Sequence, residues 1–259
     1  MKITFTLLIV LLIFSAGVGQ NWSQPVNVSN LDQSVWPDMA VDSNGVIHVV
    51  WREDLGSNFR KIMYSKSVDD GETWSTPYDL SQNNDYTCSR PHIIAGSNNK
   101  LFVSWDFSMG SIANTYVHMK VYNGEAWGST INVSETPFSH KNIIVIDHND
   151  RVYVFWYKYG TDKFCYRYLE DTTWSEIILP YEVDHFIVKA EVDDENIVHC
   201  IGAYVYWSED TYSNNIYFTY DPVNDQWSDV QVINDDPVNV SGDISLDSYA
   251  RPHFVWNQH

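Results

Sequence analysis

The chain has 259 residues, of which 34 are acidic and 15 basic, giving a formal net charge of −19 at pH 7. Such a surface repels phosphate backbones and anionic lipids, which excludes nucleic acid and membrane surfaces as principal partners. Aromatic residues make up 15% of the chain, and nothing after residue 20 has a sustained helical period. The sequence therefore indicates an all-β protein with a substantial core, in one large domain or two small ones.

The N-terminus predicts export. Lys2 precedes an apolar run from Ile3 to Phe14, and the small residues Ser15, Ala16, Gly17 and Gly19 follow. The run is shorter than the roughly 20 apolar residues of a membrane span. We therefore predict a cleaved signal peptide over residues 1–19 and a secreted or cell-surface mature chain over 20–259 without a membrane span.

A repeat of about fifty residues organises the mature chain. Trp22, Trp74, Trp127, Trp174 and Trp227 recur at gaps of 52, 53, 47 and 53 residues. Each opens a similar phrase, which reads Trp-Ser-Gln-Pro-Val-Asn-Val-Ser in the first copy and Trp-Ser-Thr-Pro-Tyr-Asp-Leu-Ser in the second. Apolar and polar residues alternate in these phrases, as in a half-exposed outer strand.

Two further strands accompany each phrase. Short runs rich in β-branched and aromatic residues, typical of strands covered on both faces, follow turns such as Asp42-Ser-Asn-Gly. These runs are 46–51, 100–105, 151–156, 197–202 and 251–256, and all but the fourth end in tryptophan. Predicted third strands follow in four copies, near 61–66, 115–120, 164–168 and 216–220.

Each repeat is thus predicted to be a four-stranded antiparallel meander, the size of a β-propeller blade. The alternative is a β-sandwich with accidental periodicity. We predict four blades and an incomplete fifth, with Trp51, Trp105, Trp156 and Trp256 on equivalent second strands. The last repeat stops at His259 after its second strand, so we expect a C-terminal truncation or further blades in the natural protein.

One hairpin carries a specific motif. Ser67-Val-Asp-Asp-Gly-Glu-Thr-Trp74 fits the Asp-box pattern Ser-x-Asp-x-Gly-x-x-Trp. We predict that Asp69 accepts backbone N–H groups, that Gly71 has a positive φ and that Trp74 is buried beneath the loop. In register with the repeat, the motif resembles the sialidase-like Asp-box (BNR repeat) β-propellers over residues 21–259. The resemblance implies that this box lies between third and fourth strands, remote from the substrate pocket, and is structural.

The same resemblance implies what a catalytic member would need. Such sialidases use three arginines, a tyrosine–glutamate nucleophile pair and an aspartate acid/base, with one arginine in a Tyr/Phe-Arg-Ile-Pro motif that is absent here. Arg90, in Ser89-Arg-Pro-His, is its nearest relative, and is either a substrate contact or a solvent-facing arginine at a strand entrance. Tyr181 and Glu182 are adjacent, yet adjacent strand residues point to opposite faces. We therefore assign no catalytic residue.

Three histidines occupy one place in the repeat. His48, His199 and His253 align with Phe102 and Tyr153 in the other copies. Because aromatic side chains alternate with histidine there, a common packing slot is predicted in preference to a metal site. We predict neither a metal nor a cofactor.

Cysteine usage is sparse. Cys88, Cys165 and Cys200 form an odd set without motif spacing, so no disulfide framework is predicted. Cys165 and Cys200 lie in apolar strand-like runs and are expected to be small core residues.

Two functions follow from the resemblance. The first is a non-catalytic module or scaffold that binds an extracellular glycan or protein through loops and exposed aromatic residues. The second is an exo-acting glycoside hydrolase similar to sialidases, which an arginine triad would favour. The missing motif favours the binding module.

Overall fold

The computed structural model of the protein describes residues 24–31, 33–56, 59–82, 86–160, 163–180, 185–204, 214–234 and 242–256. The predicted signal peptide, Trp22 and the Tyr181–Glu182 pair lie outside these ranges. Within them, helical residues are limited to two 3-10 turns, Ser97–Asn99 and Ile112–Asn114. None of these described segments is a helix able to cross a bilayer.

The strands of the first two meanders are β1 (Ser34–Val41), β2 (Ile47–Asp54), β3 (Arg60–Ser67), β4 (Tyr78–Asp79), β5 (Thr87–Ala95), β6 (Leu101–Ser108), β7 (Thr115–Tyr122) and β8 (Ile131–Asn132). The third meander contains β9 (Ser139–Ile146), β10 (Val152–Lys158), β11 (Lys163–Glu170) and β12 (Thr173–Trp174). The fourth contains β13 (His185–Val192), β14 (Val198–Tyr204), β15 (Asn215–Asp221), β16 (Gln226–Trp227) and β17 (Gln231–Val232), and a final hairpin pairs β18 (Gly242–Leu246) with β19 (Pro252–Trp256).

Consecutive strands pair antiparallel within each meander, and a single parallel bridge between Arg60 and Thr87 joins the first two meanders into one sheet. The predicted second and third strands are confirmed. Trp51, Trp105, Trp156 and Trp256 lie on β2, β6, β10 and β19, which are the second strands of their groups, as the repeat predicted.

The fourth strands are much shorter than the tryptophan phrases predicted. β4 and β8 have two residues each. After β4, the N–H groups of Leu80 and Ser81 both donate to the Ile62 carbonyl (2.8 and 3.3 Å), and Val133 and Ser134 share the Val117 carbonyl in the same way. Because two consecutive N–H groups share one carbonyl, the chain turns away from the β-ladder and the fourth strand ends there. The alternation of polar and apolar residues does not reveal this end point.

The core lies between successive meanders. One cluster joins the first and second meanders, including Val50 and Ile62 on one side and Cys88 and Trp105 on the other. Two equivalent clusters join the second to the third and the third to the fourth meander. Each meander therefore buries its faces against its neighbours, which is the packing of blades in a propeller. All three cysteines are buried, and none forms a disulfide.

The first strands of the groups form the inner layer. β1, β5, β9, β13 and β18 contact one another in chain order. Side chains from the first four of them surround a cavity of about 290 Å³. These four strands thus line one cavity, which we term the channel cavity, and the candidate site adjoins it.

The histidine slot is both packed and hydrogen-bonded in the first and fourth meanders, where His48 and His199 are buried. His48 Nδ1 lies 2.8 Å from the Tyr64 hydroxyl and its Nε2 lies 3.3 Å from Asp42 Oδ2. His199 makes the same two contacts with Tyr217 and Asp193 in the fourth meander (2.7 and 3.1 Å). Each histidine therefore ties the turn before its strand to the neighbouring third strand.

Candidate functional site

Each of the first three inner strands carries a β-bulge at the same position. In each, two consecutive residues lie opposite one residue of the second strand. The first bulge residue is Trp36, Arg90 or Lys141, with φ of 55°, 47° and 56°. This left-handed region is unfavourable for residues with a Cβ, at roughly 1–3 kcal/mol each, and such strain clusters at ligand sites. A β-bulge changes the direction in which a side chain points. Here the redirected side chains are those of Arg90, Lys141 and Trp36.

The repeated tryptophans of the second strands face these bulges. The residues opposite the three bulges are the buried Trp51, Trp105 and Trp156. In the fourth meander Gly202 stands in their place, and a Cβ there would lie 2.5 Å from the Phe186 carbonyl oxygen. β13 therefore approaches β14 more closely here than the first strands of the other three meanders approach their second strands. The sequence at this position of β13 also differs from the bulges of the other three.

A buried carboxylate fixes two adjacent bulges. Asp106 on β6 accepts the backbone N–H groups of Lys141 (2.9 Å) and Asn142 (3.2 Å) and the Asn142 side-chain amide (2.8 Å). The same carboxylate accepts from Arg90 Nη1 at 3.2 Å. Asn142 Nδ2 also donates to the Arg90 carbonyl at 3.0 Å. Asp106 is thus a brace between the second and third inner strands, with its acceptor sites occupied.

The bulge residues surround a cavity of about 270 Å³, which we term the bulge cavity. It is lined by Arg90, His92, Lys141, Asn142, Ile143, Phe186, Ile187 and Val188. It shares His92 and Ile143 with the channel cavity lined by the inner strands. The bulge cavity therefore adjoins the channel cavity and is built from three successive inner strands, β5, β9 and β13.

An indole stacked with arginines forms the rim. The Arg52 guanidinium lies 4.2 Å and that of Arg90 5.2 Å from the Trp36 ring centre. Trp36 is 44% exposed and the Arg90 side chain is 42% exposed despite its ion pair. Burial, then the neighbouring Arg60, lowers the pKa of Arg52. Positive charge and a partly exposed indole are therefore brought together here in a strongly acidic protein.

Lys141 supplies a third cation at the floor of the bulge cavity. Its Nζ lies 3.4 Å from the Phe186 ring centre and 5.9 Å from that of Tyr157. Burial and, secondly, the charge of Arg90 lower the pKa of Lys141 to about 8, against an opposing contribution from Asp106. An amine in this setting is partly neutral near physiological pH.

Asp38 and His92 form a second polar pair in the adjoining channel. Asp38 Oδ2 lies 3.4 Å from His92 Nδ1 and accepts the backbone N–H of Ile93 at 3.0 Å. Although burial opposes it, these hydrogen bonds hold the pKa of Asp38 below its usual value. The pair links the first and second inner strands as Asp106 links the second and third.

Arg90 does not lie at a strand entrance, as one of its two predicted roles required. It lies within β5 at a bulge, is ion-paired with Asp106 and lines the bulge cavity, with its side chain 42% exposed. Its other predicted role, a substrate contact, stays a prediction. Arg251 is on the final hairpin, where it pairs with Asp247 at 2.6 Å. The geometry brings Arg90 together with Arg52 and Lys141, not with Arg251.

The Asp69 hairpin lies away from this site. Asp69 Oδ1 accepts the Thr73 N–H and the Ser67 hydroxyl (2.9 and 2.7 Å), and Gly71 has φ of 88°. These two predictions are confirmed, whereas Trp74 is only half-buried and donates to the Gly71 carbonyl at 3.1 Å. β3 enters this hairpin opposite Ile47 at the start of β2, whereas the bulge lies opposite Trp51, just past the middle of that strand. The hairpin therefore lies at one end of the sheet, away from the bulge.

Sequence reasoning missed Trp36, Arg52, Lys141 and Asp106. A signal was present in Trp36-Pro37 and Arg90-Pro91, two X-Pro pairs 54 residues apart. Proline inside a strand marks a bulge or an edge because it donates no ladder hydrogen bond. Lys141-Asn142 carries no such signal, and only the alignment of inner strands reveals it.

The described residues contain no group of three or more histidine, cysteine, aspartate or glutamate side chains placed to hold a metal ion. His48, His199 and His253 lie on three different meanders, each beside its own turn aspartate. The cavity-lining donors are cationic or amide groups, which suit anionic or polar ligands.

Comparison with known proteins defines the class of fold. No protein-family model and no curated protein matches the sequence. Solved structures do match, and together with the all-β architecture they show a sialidase-like β-propeller fold.

Three solved structures illustrate this likeness. The intramolecular trans-sialidase of leech has a TM-score of 0.62 at 11% identity, over 83% of this chain and 54% of that one. The trans-sialidase of Ruminococcus gnavus has a TM-score of 0.59 at 11% identity, over 81% and 72% of the two chains. An exo-β-1,3-galactanase of Clostridium thermocellum has a TM-score of 0.56 at 9% identity, over 78% and 49%. This chain spans about half the length of the leech enzyme and of the galactanase.

Proposed function

We propose that the chain is an exported β-propeller that binds a carbohydrate ligand at the bulge cavity. The observation that carries this proposal is the placement of Arg90 and Lys141, at equivalent bulges of adjacent first strands, in the lining of one cavity, with the Trp36 indole of the third such bulge stacked against Arg90. Ligand pockets combine apolar and aromatic walls with a few placed polar groups, and this cavity has both.

The chemistry of the lining suggests an acidic sugar. The partly exposed indole of Trp36, beside the arginines stacked on it, offers apolar aromatic surface to a sugar ring at the rim. Arg90 and Lys141 offer charge-assisted hydrogen bonds to a carboxylate or sulfate on that sugar. Because the protein has a formal net charge of −19, an anionic ligand is attracted only where cations are gathered, and the bulge cavity gathers them.

The architecture supports a scaffold for such a site. We propose that the four meanders and the final hairpin are blades arranged around the channel lined by β1, β5, β9 and β13. We further propose that residues 1–19 direct export, which predicts a mature N-terminus near residue 20 in protein recovered from the medium.

The binding proposal is tested by calorimetric titration with 3′-sialyllactose and with lactose. We expect the anionic sugar to bind at least tenfold more tightly, and Arg90→Ala to abolish this preference. Asp69→Ala is the matched control, because it changes a polar hairpin at one end of the sheet, away from the bulge, and leaves the bulge cavity intact. Binding of neither sugar, or a preference unaffected by Arg90→Ala, would contradict the site and direct attention to a protein ligand.

A second candidate is an exo-acting glycoside hydrolase. Its support is the placement of Arg90 in a cavity and the names of the similar structures, which include sialidases and an exo-galactanase. Cleavage of a glycosidic bond by the usual route needs two carboxyl groups, or a substitute nucleophile, free to face the substrate. Two carboxylates near the arginines are already engaged within the protein. Glu53 accepts hydrogen bonds from Trp51 and Ser34 (3.0 and 2.7 Å), and Asp106 serves as the brace between the bulges.

We therefore expect no turnover of a fluorogenic sialoside by residues 20–259. The assay includes Arg90→Ala, as a variant that removes the exposed cation. Turnover that disappears in this variant would establish the hydrolase and assign Arg90 a substrate contact.

A further inference from the structure

We propose that Lys141 is a carbonyl-reactive amine that forms an imine with aldehydes entering the bulge cavity, with a preference for aldehydes that carry an anionic group. This inference concerns covalent chemistry and does not depend on the bulge cavity being a glycan site. It needs only that small molecules reach the cavity.

The geometry leaves the amine without a carboxylate partner. No described carboxylate forms an ion pair with Lys141, since the oxygens of Asp106 are taken by backbone, amide and guanidinium donors. Other lysines are engaged differently, as Lys61 donates to Asp79 at 2.6 Å and Lys120 to Gln82 at 2.9 Å. Lys141 instead faces the Phe186 ring inside an open cavity.

The surroundings also disfavour the ammonium form. Arg90 on β5 and His92 line the same cavity, and His140 precedes Lys141 on β9. Asp106 on β6 opposes them, as do the Tyr157 and Phe186 ring faces of β10 and β13, which attract a cation; burial outweighs both. With a pKa of about 8, the neutral fraction at pH 7 is about two hundred times that of an ordinary lysine.

The reaction is balanced without a redox partner. The neutral Nζ donates its lone pair to the aldehyde carbon, and the carbonyl oxygen becomes the hydroxyl of a carbinolamine. Loss of water, which carries away that oxygen and both amine hydrogens, leaves the C=N bond. Arg90, on the same cavity wall, can hold a phosphate or carboxylate on the aldehyde.

The test uses pyridoxal 5′-phosphate and pyridoxal. Each rate is divided by the rate of the same aldehyde with free lysine, because pyridoxal closes largely to a hemiacetal through its 5′-hydroxyl. The full chain is incubated with each at pH 7.5, the imine is reduced with borohydride, and the modified lysine is located by peptide mapping. We expect Lys141 to be labelled at least tenfold faster than any surface lysine. Its rate should level off above pH 8, whereas surface lysines continue to gain reactivity towards pH 10.

Three variants separate the site from general lysine chemistry. Lys141→Arg should remove the fast label, and Lys189→Arg, a half-buried lysine of β13, should leave it unchanged. Arg90→Gln should reduce the preference for the phosphorylated aldehyde to near unity. If Lys141→Arg does not fold, peptide mapping of the labelled native protein tests the proposal by itself. Labelling spread over exposed lysines in proportion to exposure, with Lys141 unmodified, would overturn the proposal.

Discussion

Tryptophans at equivalent positions of the repeat contribute differently to the free energy of unfolding. Trp227 lies 4.5 Å from Tyr220 and 5.3 Å from Phe164, ring centre to ring centre, and packs against the core between the third and fourth meanders. Trp74 occupies the same place in the first meander, where it contacts Gly71 of its own hairpin. The two tryptophans differ in packing because, within the described residues, Trp227 packs against the third meander, which precedes its own.

Truncation of the two tryptophans measures this difference. We expect Trp227→Ala to lower the free energy of unfolding by about 3 kcal/mol and Trp74→Ala by about 1 kcal/mol, because only the first leaves a core cavity. Urea denaturation of both variants checks the ratio. Equal losses would show that Trp74 is packed against a further part of the molecule.

A half-buried histidine makes stability depend on pH. His118 is stacked on Phe107 at 4.3 Å, and burial lowers its pKa to about 4 from 6.5. The unfolded chain therefore binds a proton that the folded chain excludes between these two values. Stability rises with pH in this window, so it is lost as pH falls below about 6.5.

Replacement of His118 isolates this contribution. Between pH 7 and pH 5 the native protein should lose about 2 kcal/mol through this group, and His118→Gln should lack that part of the loss. Thermal melts at the two pH values measure it. The exposed His253 provides the control, since His253→Gln should follow the native pH dependence. A His118→Gln curve parallel to the native one would contradict the assignment.

At the scale of the elements, the bulges depend on contacts between neighbouring inner strands. Asp106 of β6 accepts two backbone N–H groups of the β9 bulge and the guanidinium of the β5 bulge. The left-handed backbone at Arg90 and Lys141 is therefore held by an element of a different hairpin. This arrangement makes the brace a positioning residue for the candidate site.

Removal of the brace should affect both stability and site. We expect Asp106→Ala to cost about 3 kcal/mol of unfolding free energy, because buried donors and a paired cation lose their acceptor. The fully exposed Asp194 supplies the control, since Asp194→Ala should be neutral. Urea denaturation gives the energies, and the sugar titration reports the site. An Asp106→Ala variant with native stability would show that other groups hold the bulges.

At the scale of the whole molecule, the core is distributed between meanders. Each hydrophobic cluster takes residues from two successive meanders, so no meander buries its apolar faces alone. Phe155, on β10, belongs to the cluster shared with the fourth meander. Loss of one interface should therefore destabilise the first meander as well as the last.

This organisation predicts one cooperative transition. We expect far-UV circular dichroism and tryptophan fluorescence to give the same urea midpoint, and Phe155→Ala to shift both midpoints together by an amount corresponding to about 3–4 kcal/mol. Separate midpoints, or a shift in one signal alone, would show that the meanders unfold as independent units.

The amino-acid sequence by itself determined the repeat and much of its local structure. Fifty-residue spacing, the runs ending in tryptophan and the Asp/Asn/Gly turns predicted the second and third strands, because these elements depend on short-range polarity and turn chemistry. The same local logic predicted the acceptor role of Asp69 and the positive φ of Gly71, since both are contained within one hairpin.

Only the tertiary structure decided where the site is. Trp36, Arg90 and Lys141 are separated by about fifty residues from one another and share no motif across all three. They meet because the inner strands lie side by side and each carries a bulge opposite a buried tryptophan. The brace of Asp106 and the pKa of Lys141 likewise arise from contacts between meanders. Register shifts and burial between distant strands are properties of packing, which local sequence patterns do not specify.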